Sequence, residues 1–336
     1  MLDEPLVDGA TLHGMTDTRS RLRVASIQME SAPNDTVGNF EKVERFASLA
    51  AAQGASLALF PECCLTGYWF IRNLDVLQLT ALAERSPEGP STTRLIQLAQ
   101  RMGISIGAGL VEAADNGVFY NSYVVALPDG SWHRHRKLHA FEHTAVHSGS
   151  EFTVFDLPEG WRVGVLICYD CNVVENVRLT ALLGAEVLLA PHQTGAVRSR
   201  NPHLMGLIER RVWDNRHSDP QAIEREFRGE KGRGWLMRWL PSRAHDNGLF
   251  LVFSNGVGVD DDEIRTGNAM VLDPYGRVLA ESSQIGDDIV FADLERDLLA
   301  DATGRSWIRA RRPELYGPLT VPTGNECDIR KLKFSE

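Results

Sequence analysis

Positive charge is scarce in this chain. Its 35 lysines and arginines face 45 aspartates and glutamates, a formal net charge of -10 at neutral pH. That balance argues against a general nucleic-acid binder, because neutralising phosphates requires a basic surface. Long apolar runs are missing too. None approaches the roughly 20 residues of a membrane span, and residues 1–20 lack the apolar core of a secretory signal. We therefore expect a soluble, cytoplasmic protein with no membrane partner. Cysteine is sparse and odd in number (Cys63, Cys64, Cys168, Cys171 and Cys327), which suits reduced thiols better than a disulfide framework. There is no short repeat and no low-complexity tract. What the 336 residues do hold is apolar mass, 43% of the chain, enough for a sizeable core.

That apolar mass is patterned around Val163 to Pro191. Val163 to Ile167 has the length and β-branched content of a buried strand, and a helix-period segment, Val173 to Leu183, follows after a few polar residues. Gly184 closes that helix and Ala185 to Ala190 resumes as a strand, so the stretch reads as a βαβ unit. Cys168 sits at its switch from strand to helix, where open α/β folds place their ligands. A thiol there is a candidate nucleophile.

The rest of the chain repeats the rhythm. Strands are expected at Leu22 to Met29, Ser56 to Phe60, Ile104 to Leu110, Tyr120 to Leu127, Ser131 to Lys137, Leu249 to Ser254, Asn268 to Leu272, Arg277 to Glu281 and Ile289 to Asp293. Helices are expected at Asn34 to Ala52 and Thr92 to Met102. The pattern predicts a single α/β domain over 21–316, in two similar halves, preceded by a flexible extension at 1–20 and followed by a tail at 317–336. At about 193–247 the strand rhythm stops. Arg198, Arg200, Arg210, Arg211, Arg216, Arg225, Arg228, Arg233, Arg238 and Arg243 crowd this segment with Trp213, Trp235 and Trp239 among them. It reads as a charged helical insertion, either a solvated pair with aromatic anchors or a lid offering a cation to an anionic substrate. Asp260-Asp261-Asp262-Glu263 lacks calcium-loop spacing and reads as a solvated turn.

Three strand ends carry useful chemistry: Glu62 after Phe60-Pro61, Lys137 at the end of a hairpin, and Cys168. Together they describe an acyl-transfer machine. A thiol needs a base to become a thiolate at neutral pH, and a buried carboxylate can take that proton and return it to a leaving amine. A lysine ammonium, helped by the backbone N–H after Cys168 at the opening of the helix, can hold the oxyanion. Cys168 and Cys171 with Cys63 and Cys64 also invite a redox or zinc reading, but adjacent Cys63 and Cys64 point poorly at one ion. No metal and no cofactor are expected.

Phe60-Pro61-Glu62, Arg136-Lys137-Leu138-His139 and Ile167-Cys168-Tyr169-Asp170, in this order, resemble the three signature blocks of the nitrilase superfamily of carbon–nitrogen hydrolases. Glu175 and Arg178, Gly184-Ala185-Glu186 to Pro191, and Arg243-Ala244-His245-Asp246-Asn247 with Ser254-Asn255 resemble its flanking segments. The resemblance implies a four-layer αββα sandwich that pairs into αββα-αββα dimers or higher homo-oligomers. It implies Glu62 as general base, Lys137 as oxyanion cation and Cys168 as nucleophile. Tyr169-Asp170 is the form of the amidase-like and carbamoyl-hydrolysing branches. The implied reaction is hydrolysis of a small linear amide through a thioester, releasing ammonia. A nitrilase or N-carbamoyl amidohydrolase with the same trio, and a binding protein without catalysis, are the alternatives. Glu142 stands near the place of a second family glutamate and is read as catalytic support or a structural ion pair. Tyr169, Asp170, His192 and Gln193 are candidate pocket residues, His192 alternatively a strand cap. Val173-Val174 and Asn268-Ala269 depart from the family pattern and alter the pocket wall.

Overall fold

Strand β1 (Arg21–Met29) shows how the side chains build the layers. Alternate residues of a strand face opposite ways: Leu22 and Val24 enter one apolar cluster, while Ala25, Ile27 and Met29 enter another. The computed structural model describes residues 20–195 and 203–334. The extension expected at 1–20 therefore lies, but for Ser20, outside the described residues.

In the first half β1 pairs in parallel with β2 (Leu57–Leu59), and β2 with β3 (Ser105–Ala113). Antiparallel β4 (Phe119–Ala126) and β5 (Trp132–Arg136) follow, and β6 (Val146–His147) adds a short parallel pairing to β4. The second half runs β7 (Thr153–Asp156), β8 (Arg162–Val165), β9 (Val187–His192) and β10 (Phe250–Asp260), with β8, β9 and β10 parallel. Beyond them lie β11 (Glu263–Thr266), β12 (Met270–Leu272) and β13 (Val278–Glu281); β14 (Asp288–Glu295) returns antiparallel to β1. The halves join where β1 and β10 run side by side, Gln28 opposite Asn255 and Met29 opposite Gly256.

Between the two sheets one buried cluster draws on both. Leu22, Val24, Leu57, Leu59 and Tyr123 come from the first half, and Val163, Val187, Leu189, Phe250 and Val252 from the second, with Trp161 edge-on to Phe250 at 5.9 Å. Outside the first sheet, α1 (Thr36–Ala52) and α3 (Pro90–Met102) lay Phe40, Val43, Phe46, Leu95 and Leu98 over Ile27, Ala58 and Ile106; α2 (Val76–Leu82) lies between them in sequence. Outside the second, α4 (Val174–Leu182) contributes Val177 over Leu188, Ala190, Leu251 and Phe253. The layers are αββα.

Three features depart from the sequence expectation. The segment read as an insertion forms short helices at Arg210–Asp214, Pro220–Arg228, Arg233–Leu236 and Leu240–His245. These are built into the outer layer: Leu236, Leu240 and Ala244 join the cluster over the second sheet, and Trp213, Ile223 and Phe227 pack with Val257 and Ile264. Its spacing of apolar residues was masked by the arginines between them. Arg198 and Arg200 lie outside the described residues. The acidic run is not simply solvated, because Asp260 is buried, accepts the Trp69 N–H at 2.9 Å and pairs with Arg265 at 2.8 Å. The helix after Cys168 lies where expected, at Val174–Leu182, but a tight 3-10 turn over Cys168–Cys171 precedes it. No described helix is long and apolar enough to cross a membrane.

The carboxyl ends of β2, β8 and β9 all deliver residues to one region, and glycines make the room. Phe60 donates to the Gly107 carbonyl and Leu65 to that of Gly109, so the turn carrying Glu62 is pressed onto β3. A Cβ on Gly109 would stand 2.3 Å from the Cys63 nitrogen. Gly109→Ala is expected to lose about 2 kcal/mol of stability through this overpacking and to displace Glu62. Thermal melts and turnover of the variant check it; a wild-type melt with wild-type rate would show the turn to be softer than its packing implies.

Candidate active site

Lys137 closes β5, its backbone donating to the Asn121 carbonyl at 2.9 Å, and its side chain runs wholly buried into the region between the strand ends. The ammonium binds Glu62 Oε1 at 2.6 Å and also Glu142 Oε1. An ammonium has three donors, so one is left over. The Phe141 ring lies 4.4 Å from Nζ.

Sequence reasoning missed two residues that complete this cluster. Asn121 Nδ2 donates to Glu62 Oε1 at 2.7 Å and to Glu142 Oε1 at 3.0 Å, while Asn121 Oδ1 accepts from the Cys63 thiol at 3.4 Å. Tyr68 donates its hydroxyl to Glu142 Oε1 at 3.4 Å, and Glu142 Oε2 takes the Phe141 N–H at 3.0 Å. An asparagine inside an otherwise apolar strand is disfavoured on propensity, and that was the available signal for Asn121. Glu62 Oε2 is buried and has no hydrogen-bond partner among the described residues.

Burial raises the Glu62 carboxyl well above its ordinary range, and the nearby Cys168 thiol adds to this against the pull of Lys137. For Lys137, burial opposes the charge, but Glu142, Glu62 and Cys168 more than offset it and push its pKa up. The two glutamates and the thiol therefore share one cation in a water-poor site.

Cys168 stands apart from its fellow cysteines. Cys63, Cys64 and Cys171 are fully buried, and burial raises each thiol, Cys64 to about 12. Cys168 is half-buried, and like the buried Cys63 at φ +45° it adopts, at φ +50°, the left-handed region that few side chains enter. Such strain persists only where the surroundings over-determine it. Here Asp170 donates its N–H to the Ile167 carbonyl and Asn176 holds the Asp170 carbonyl. Arg243 donates to the carbonyls of Cys171 at 2.7 Å and Asn172 at 2.9 Å. Arg243 was predicted as part of the helical segment with no such task.

The remaining predicted residues fall around this core. Asp170 is buried and its carboxylate accepts the N–H groups of Leu138 at 3.0 Å, His139 at 2.9 Å and Ile167 at 3.3 Å, with His139 Nδ1 at 3.0 Å and His135 Nε2 at 3.6 Å. Burial works against its charge, yet His135, His139 and Lys137 prevail and hold its pKa below the usual range. It is a clamp that ties the residues after Lys137 to the turn of Cys168. Tyr169 borders the apolar cluster of Tyr68 and Phe141. Gln193 is buried and donates to the Glu62 carbonyl at 2.8 Å; a Cβ on Gly256 would lie 1.7 Å from its oxygen, so glycine there makes its space. His192 is buried with its ring centroid 4.6 Å from that of Phe253 and 5.9 Å from that of Trp239. Burial lowers its pKa to about 3, so it stays neutral. Of the arginines in the helical segment, Arg210, Arg211, Arg216, Arg228, Arg233, Arg238 and Arg243 are engaged by protein groups.

Comparison with known proteins follows the same outline. The carbon-nitrogen hydrolase family model matches residues 23–303. A nitrilase of Pyrococcus abyssi is 30% identical over 278 residues, covering 82% of this chain and 90% of the relative. An (R)-stereoselective amidase of a Pseudomonas species is 30% identical over 305 residues, 89% of this chain and 94% of the relative. Among solved structures, an amidase from a Nesterenkonia species is similar with a TM-score of 0.63 at 23% identity, covering 89% of this chain and 96% of that one. A variant of that enzyme carries the acetamide moiety of fluoroacetamide on its active-site cysteine, and that structure has a TM-score of 0.65 at 22% identity, covering 90% of this chain and 98% of that one.

The Asp170 clamp has a signature in pH. Its folded pKa is depressed, so its stabilisation is present above the unfolded value near 3.9 and fades as pH falls through the folded value. Asp170→Asn turns an NH₂ toward N–H donors, and a loss of about 3 kcal/mol is expected at pH 7. Urea melts should show the gap from wild type shrinking at pH 3; a gap independent of pH would mean that the carboxylate charge contributes nothing.

Proposed function

The chain belongs to the carbon–nitrogen hydrolase family, in the amidase-like branch of the nitrilase superfamily, and we propose that it hydrolyses small linear amides through a thioester on Cys168, releasing ammonia. The observation that carries the reading is Glu62. One of its oxygens is committed to Lys137 and Asn121, and the other is buried without a partner among the described residues, in a carboxyl that the half-buried Cys168 thiol is near enough to raise.

In the proposed sequence Glu62 Oε2 takes the Cys168 proton, and the thiolate attacks the amide carbon. The C=O pair moves onto oxygen, where the third Lys137 donor and the backbone N–H after Cys168 receive it. Glu62 returns the proton to nitrogen, the C–N bond breaks and ammonia leaves. Glu62 then takes a proton from water, hydroxide attacks the thioester, and collapse of the adduct frees the carboxylic acid and the Cys168 thiolate, which recovers its proton. A base pushed upward by burial is suited to this cycle, since it must both accept and return a proton near neutral pH. Lys137 keeps its charge throughout because two carboxylates surround it. Glu142, held by Tyr68 and Asn121, fixes the lysine and the facing wall of the site. The amidase carrying the acetamide moiety of fluoroacetamide on its cysteine offers a chemical precedent for a nucleophilic cysteine, since that adduct forms when sulfur displaces fluoride and leaves the amide intact.

The first test is ammonia release by wild type and Cys168→Ala over aliphatic amides, dicarboxylate monoamides, N-carbamoyl amino acids and nitriles, with mass spectrometry for an acylated Cys168. Release by wild type alone, with a Cys168 adduct, is expected, and Glu62→Gln should lose roughly 10³-fold. An active Cys168→Ala protein would refute the mechanism, and carbon dioxide alongside ammonia would move the substrate to the carbamoyl class.

Asn121 gives a finer test. Removing a hydrogen bond to the charged form raises a carboxyl pKa. Asn121→Ala should therefore shift the acid limb of the kcat/KM profile to higher pH and recover much of its activity in base. A uniform loss at every pH would make Asn121 merely a packing residue.

A further inference from the structure

Residues far along the chain reach the aromatic cluster beside this site. From Val321 to Asp328 the backbone runs exposed, its recorded hydrogen bonds being local ones such as those of Glu326 to Thr323. Then Ile329 turns inward, 7% exposed, in the apolar cluster that holds Tyr68 and Phe141 and is bordered by Tyr169. Each of those rings belongs to the site: Tyr68 binds Glu142, Phe141 lies against Lys137, and Tyr169 follows Cys168.

Arg330 makes the second fastening. Its Nη1 donates to the carbonyls of Thr144 at 3.2 Å and Val146 at 3.4 Å, just past Glu142 on the same loop, while Nε binds Asp328 at 2.9 Å. Cys327 lies near enough to Tyr169 to add to the rise that burial gives its phenol. The segment thus spans both banks of the site, the nucleophile turn at Tyr169 and the Glu142 loop at Thr144 and Val146. Its own helix, Ile329–Phe334, is too short to persist without these contacts, and Leu332 within it is exposed. Among the described side chains, Ile329 and Arg330 hold it in place.

We propose that Cys327 to Leu332 form a strap across the mouth of the site, and that Ile329 sets an upper limit on the size of the acyl group admitted. The limit on the acyl group rests on the Cys168 mechanism proposed above. The strap itself is a matter of access to Cys168, which can be read without turnover.

Cys168 alkylation, followed by peptide mass mapping, is measured with iodoacetamide and with the bulkier N-phenylmaleimide. The proteins are wild type, Ile329→Ala, Arg330→Ala and the double variant Ile329→Asp/Arg330→Ala. The strap predicts that the bulky reagent gains about tenfold on Cys168 in the double variant and less in each single one, while iodoacetamide changes little. In parallel, kcat/KM for phenylacetamide relative to propionamide should rise about tenfold in Ile329→Ala. Arg330→Ala removes no core side chain, so it answers even if an Ile329 variant folds poorly. Unchanged bulky alkylation in Arg330→Ala and Ile329→Ala would overturn the strap. Faster alkylation in proteins that cleave no amide would keep the strap and sink the amidase reading instead.

Discussion

A lysine ammonium sealed from water is the constraint to which the rest of this structure answers. Taking such a charge out of solvent is tolerated only with close counter-charges and satisfied donors, and Lys137 has Glu62 and Glu142 against it with Phe141 beside them. Two carboxylates then share one cation. The surplus of negative charge has to be absorbed, and it is absorbed by donors from Asn121, Tyr68 and the Phe141 backbone, and by the rise in the pKa of Glu62. The arrangement that makes the lysine bearable is the same one that raises the Glu62 carboxyl well above its ordinary range. Stability and chemistry draw on one set of contacts.

Cys168 depends on a second, opposite device. A β-carbon in the left-handed region is strained by roughly 1 kcal/mol or more, and Cys168 is kept there by bonds from every side of its turn. Asp170 does most to couple this turn to the lysine, since one carboxylate holds the backbone of Ile167 and of Leu138 and His139. A buried anion two residues past the thiol thus ties the turn of Cys168 to the backbone that follows Lys137. The other buried cysteines show what the position adds: burial alone drives a thiol upward and leaves it inert.

The outer layers are less symmetrical than the sheets they cover. Over the first sheet two regular helices suffice, capped by Asp35 and Gly103 in the usual ways. Over the second, α4 is joined by an arginine-rich chain of short helices whose Leu236, Leu240 and Ala244 are core residues. Arg243 reaches from that layer to the carbonyls of the nucleophile turn, so the layer both covers the sheet and braces the site. The solvated character suggested by its composition belongs to one face only.

Much of the fold was legible in the chain because strands announce themselves locally. Period-two alternation in Arg21–Met29 and the apolar runs before Cys168 and after Gly184 depend on residues a few positions apart, and so do the strand ends that present Glu62, Lys137 and Cys168. The short helix Val76–Leu82 and strand Thr153–Asp156 escaped because each is too short to show a period. The relations between the strand ends were not legible. Which Glu62 oxygen is left free, that Asn121 binds both glutamates, that Asp170 faces Leu138 and that Ile329 lies with Tyr68 and Phe141 are decided across dozens to hundreds of residues. Contacts of that range have no periodic trace in a sequence. They exist only once two sheets have packed face to face and the positions of their loop ends are set.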